Sequence, residues 1–66
     1  MMENNIIYYK FIKSLLLDEN NRPKIEFYYR GAYISTITQD EALRRFHLNK
    51  KQLTTILKNK ILIINF

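Results

Sequence analysis

The apolar residues of this chain change their period at Thr38, and that change limits the folds open to it. Before it, Ile25, Phe27 and Tyr29 alternate with Glu26, Tyr28 and Arg30, the two-residue repeat of a strand with one buried face. After it, Ala42, Leu43 and Phe46, and then Leu53, Ile56 and Leu57, recur at intervals of three and four. That is the repeat of an amphipathic helix. The expected fold is α+β: an N-terminal antiparallel β-hairpin or three-stranded meander, then two helices, then a short C-terminal strand.

The punctuation of the first half supports a hairpin. Asp18-Glu19-Asn20-Asn21-Arg22-Pro23 separates two apolar runs. Asp and Asn suit turn positions, and Pro23 cannot donate a ladder hydrogen bond, so it belongs in the turn or at a strand start. Gly31, the only glycine, permits a tight turn before a third strand over 32–36. Residues 6–17 are rich in isoleucine, tyrosine and Phe11 and read as the first strand. Lys10, Lys13 and Ser14 would also form one polar stripe on a helix, so a helix followed by a strand is the alternative.

The second half carries its own helix signals. Thr38 is an N-cap with Glu41 at the capping-box position, and Ile37 and Ala42 form an apolar staple around it. Asp40, Glu41 and Arg44 lie on the face opposite Ala42, Leu43 and Phe46. His47-Leu48-Asn49 is a turn, with Asn49 the second N-cap and Gln52 its capping-box partner. Asn59 closes the second helix in the left-handed conformation. Ile61 to Phe66 is a last strand, which adds to the N-terminal sheet or to a second chain. The chain is thus one small domain: 1–5 disordered, 6–36 β-rich, 38–60 the helix pair and 61–66 a strand.

Composition narrows the function classes. A chain of 66 residues buries only about 60% of its unfolded surface, yet 47% apolar and 14% aromatic content is enough to build a core. There is no cysteine and only one histidine, His47, so neither a disulfide nor a zinc clip is expected, and no metal or cofactor. The six acids are scattered and one glycine cannot make a phosphate-binding loop. His47 has no nucleophile beside it, and no enzymatic role is expected. The longest aliphatic run, Ile61 to Ile64, is far short of the ~18 residues of a membrane span. The opening Met1-Met2-Glu3-Asn4-Asn5 lacks the features of a secretory signal. A cytoplasmic protein without a membrane partner is the expectation.

Charge points to an anionic partner. Of the net charge of +5, residues 38–66 hold four units, with six basic and two acidic side chains. No acid occurs after Glu41. Nucleic acid, double-stranded DNA in the reading below, is the first partner such an asymmetry suggests, an acidic protein surface the second and anionic lipid a distant third.

Residues 37–61 resemble the helix-turn-helix of excisionases and MerR-type regulators. The residues that carry the likeness are Ile37, Thr38, Glu41-Ala42, Phe46, Leu48, Leu53 and Ile56-Leu57. It covers about a third of the chain on a degenerate motif. Two departures stand out: Asn59-Lys60-Ile61 replaces the family's glycine and following hydrophobic residue, and the hairpin precedes the helices, where the family places its β-wing after them. The resemblance implies a small DNA-binding regulator of phage or mobile-element type, with the second helix as the reading helix. Lys50 and Gln52 would then face base edges. Lys51, Thr54, Thr55 and Lys58 would line the outer face, and Arg44, Arg45 and Lys60 would reach phosphates.

Two further readings compete or combine with this one. Tyr28, Tyr29, Arg30 and Tyr33 form a basic, tyrosine-rich stretch suited to binding and inhibiting a host protein, since Tyr and Arg are favoured hot-spot residues. Tyr8, Tyr9, Tyr28, Tyr29 and Tyr33 could stack single-stranded bases, but adjacent tyrosines on a strand point to opposite faces, so core positions account for part of them. A homodimer pairing Ile61–Phe66 across a two-fold axis is compatible with either function.

Overall fold

The computed structural model describes residues 8–65. The expected disorder over 1–5, the first two residues of the 6–17 strand and Phe66 lie outside that range. The described chain is α+β, a four-stranded antiparallel sheet with two helices. Three strands come first: β1 (Tyr8–Leu17), β2 (Pro23–Tyr29) and β3 (Ala32–Ile37). Helices α1 (Gln39–Phe46) and α2 (Lys50–Leu57) follow, then β4 (Leu62–Asn65). The spatial order is β3-β2-β1-β4. The meander is thus three-stranded and residues 8–17 are strand, not helix. The last strand joins the sheet beside β1, with Tyr8 opposite Asn65 and Phe11 opposite Leu62.

Both meander turns follow from their residues. Between β1 and β2 the Asp18 carboxylate accepts from the backbone N–H groups of Asn20 (2.7 Å) and Arg22 (3.0 Å). Asn21 sits at φ 62°, a conformation asparagine tolerates better than most residues. Between β2 and β3 only Arg30 and Gly31 intervene, at φ 52° and 88°. Two consecutive positive φ values are the mark of a tight hairpin whose twist matches the strands.

Each helix is capped as its sequence suggests, with one difference. Thr38 Oγ1 accepts from the Glu41 N–H at 3.1 Å. The reciprocal half of that capping box is absent: the Glu41 carboxylate instead accepts from Arg45 at 3.2 Å, one turn further along on the exposed surface. Asn49 and Gln52 form the complete box, at 2.7 and 2.9 Å. Both helices close on a left-handed residue, His47 (φ 55°) and Asn59 (φ 65°). The next N–H in each case, Leu48 or Lys60, returns to the carbonyl five residues back, at 3.2 Å. Asn59 therefore provides the left-handed closure for which glycine is the usual residue.

The core lies between the sheet and the helix layer. Phe11, Ile25, Phe27 and Ile37 from the strands meet Ala42, Leu48 and Ile56 from the helical half. Tyr9, Leu43, Phe46, Leu53, Leu57, Leu62 and Ile64 pack around them. Phe46 stands edge-on to Phe11 and Phe27, with ring centroids 5.0 and 4.9 Å apart, a favoured aromatic geometry. Gln39 is buried and donates to the Pro23 carbonyl at 3.0 Å, which ties the start of α1 to the start of β2. Among the described residues no helix is long and apolar enough to cross a membrane.

Between Lys13 and Leu17 the β1–β2 register shifts, and the chain does not behave as its apolar run suggests. Ser14 is buried, its hydroxyl accepting from the Leu16 N–H at 3.0 Å. Leu15, Leu16 and Leu17 are exposed, Leu15 to 95%. The pairing of β4 with β1 stops at Phe11, so this end of β1 lacks that neighbour.

Candidate nucleic-acid interface

The helix layer presents two unlike faces. The inner face of α2 holds Ile56, which is fully buried, with Leu53 and Leu57 beside it. Lys50, Lys51, Thr54 and Lys58 are exposed. Their spacing of three, four and seven residues places them on one side of the helix, away from Ile56. Thr55 and Gln52 are half-buried at the margins. Thr55 spends its hydroxyl within the helix, donating to the Lys51 carbonyl at 3.1 Å. The Gln52 carbonyl oxygen accepts from the Asn49 N–H, which leaves its amide NH₂ as the free end.

Arg44 is exposed near the C-terminus of α1, and Lys60 follows α2. Neither these two nor Lys50, Lys51 and Lys58 make an ion pair among the described residues. Arg45 differs. Its guanidinium binds Glu41 and lies 5.4 and 5.6 Å from the ring centroids of Phe27 and Phe46. It covers the aromatic core while partly exposed, so its charge is already engaged. The nine residues expected to meet DNA therefore divide into free cations (Arg44, Lys50, Lys51, Lys58, Lys60), the exposed Thr54, and three with intramolecular partners (Arg45, Gln52, Thr55).

The tyrosine-rich stretch is split by the sheet. Tyr29 lies opposite Tyr9 on the core side, with ring centroids 5.1 Å apart. Tyr28 and Tyr33 lie opposite each other on the open face, 5.7 Å apart and edge-on. Arg30 is exposed in the turn. The four residues thus do not form one surface. The open face instead carries a cross-strand row of Tyr33, Tyr28, Lys10 and Ile63, one from each strand. The Lys10 ammonium lies 4.5 Å from the Tyr28 ring centroid. The Tyr28 hydroxyl donates to Glu26 at 3.0 Å, and this bond, followed by partial burial, raises its pKa above the ordinary tyrosine value. Residue types alone do not reveal this row, because it depends on the strand register.

Comparison with protein-family models, curated proteins and solved structures gave no match.

Proposed function

We propose that this chain is a small DNA-binding regulator, excisionase- or repressor-like and of phage or mobile-element type, in which α1 and α2 act as a helix-turn-helix and α2 is the reading helix. The observation that carries this reading is the outer face of α2. Lys50, Lys51 and Lys58 are exposed there without ion pairs among the described residues, and no acid follows Glu41 in the chain. Unpaired cations on one rigid face neutralise phosphates and release their counterions, with no internal salt bridge to break first. In this reading Lys50 at the helix start reaches guanine acceptors, and the Gln52 NH₂ reaches a base acceptor without giving up its cap. Thr54 suits a thymine methyl group or a phosphate, and Arg44 and Lys60 suit the flanking backbone.

Fluorescence anisotropy of labelled duplex DNA tests this. Micromolar binding is expected, falling about 100-fold between roughly 50 and 200 mM salt if about four phosphates are neutralised. Lys51→Glu with Lys58→Glu should abolish it, and Lys10→Glu on the opposite side of the sheet should not. No binding at the lower salt overturns the reading.

One second reading is favoured by the open face of the sheet, where Tyr33 is 56% exposed beside Tyr28: the binding and inhibition of an acidic host protein. There Tyr33→Ala would be the damaging change, and the two lysine substitutions would be tolerated.

A further inference from the structure

The two edges of the sheet are built differently. β3 is an edge strand with a fault: Phe27 pairs with Ser35 and Tyr28 with Tyr33, so Ile34 is an extra, unpaired residue. Such bulges twist an edge and keep other strands from adding to it. β4 is the other edge, and its four pairs with β1 run without a break. Residues 61–65, Ile-Leu-Ile-Ile-Asn, contain no charge, proline or glycine. Among the described residues its four-residue length is the one protection this edge has.

Side chains add to the open backbone. Leu62 and Ile64 turn to the core, while Ile63 lies on the open face opposite Lys10. Ile61 and Ile63 are 59% and 56% exposed. A nucleic acid or acidic partner would be met by cations on the strand itself, and residues 61–65 carry none. An uncharged apolar strand fits it, and the chain itself supplies one in a second copy.

The geometry points to a two-fold symmetric dimer in which β4 of one copy pairs antiparallel with β4 of another, giving one continuous eight-stranded sheet. Directly opposed residues in an antiparallel pair share a face. Ile61 and Ile63 would therefore meet odd-numbered residues of the second copy on the open face, with Leu62 and Ile64 meeting even-numbered ones beside the helices. Each copy carries a net charge of +5, so the copies repel except along this uncharged strip. Salt screens that repulsion. Dimerisation should strengthen with salt, opposite to DNA binding, and does not depend on the DNA reading.

Sedimentation equilibrium of the full chain without DNA tests this at low and high salt. At tens of micromolar the expected mass is twice that of the chain, with the dimer fraction rising with salt. Ile63→Lys and, separately, Ile61→Lys should return the mass to that of one chain with the far-ultraviolet circular dichroism unchanged. Ile34→Lys on the bulged edge should leave the dimer intact. Ile61 precedes the strand, so its variant serves even if Ile63→Lys disturbs the fold. A single-chain mass for the native protein, or a dimer that survives substitution at Ile61, overturns the inference.

Discussion

Single residues fix the turns, and two of them give direct tests. At φ 88° Gly31 lies where side chains are strained, while a methyl group there would sit 3.7 Å from the Tyr8 hydroxyl, an ordinary contact. Gly31→Ala should therefore cost about 1 kcal/mol through the backbone alone, measured by urea unfolding. Asp18 offers a pH test. The Arg22 backbone N–H, then the Asn20 N–H and the Arg22 guanidinium, hold its carboxyl below the ordinary aspartate value. A group with a lowered folded pKa stabilises above its unfolded value of about 3.9, and that contribution is lost as pH falls through the folded value. In an NMR titration Asp18 should have its midpoint below about 3.9, and Asp18→Asn should remove that step in acid stability. These turn residues were legible in the sequence because their chemistry is local. Ser14 and Leu15–Leu17 were not: their exposure depends on a register shift against β2 and on how far β4 extends.

At the scale of elements, α2 stands on its cap. Eight residues make a helix too short to persist alone. The reciprocal Asn49–Gln52 box and the buried Ile56 hold it. Asn49→Ala should lower stability by about 1 kcal/mol, seen as a lower midpoint in thermal unfolding. On the proposed function it should also weaken DNA binding by loosening Lys50 and Lys51. The helix pair, its turn and its closing asparagine were readable from the three-and-four spacing and the cap residues. The first cap was half readable: Thr38 accepts as expected, but Arg45 competes for Glu41. Of the candidate site, the free lysines were legible as an acid-poor stretch. The engagement of Arg45 with Phe27 and Phe46 was not, because it joins residues far apart in the chain.

For the whole molecule, one thin core serves both layers. A domain of this size has roughly 3–5 kcal/mol to lose. Ile56→Ala empties a fully buried position at about 2–5 kcal/mol, and the variant should be largely unfolded at room temperature by circular dichroism. The class of fold follows from the change of period at Thr38. The strand order does not, since nothing local to Ile61–Phe66 says which of its neighbours it joins. That it joins β1 has a consequence for synthesis and for engineering. Tyr8 and Asn65 are paired neighbours although 56 residues lie between them along the chain. At about 5–20 residues per second, a nascent chain carries β1 for several seconds before its last partner leaves the ribosome. Tyr8 and Asn65 lie side by side. A short linker joining Asn65 to Tyr8, with new ends opened between the exposed Glu19 and Asn20, should yield a circular permutant in which β4 leads directly into β1 and this pairing becomes local in sequence.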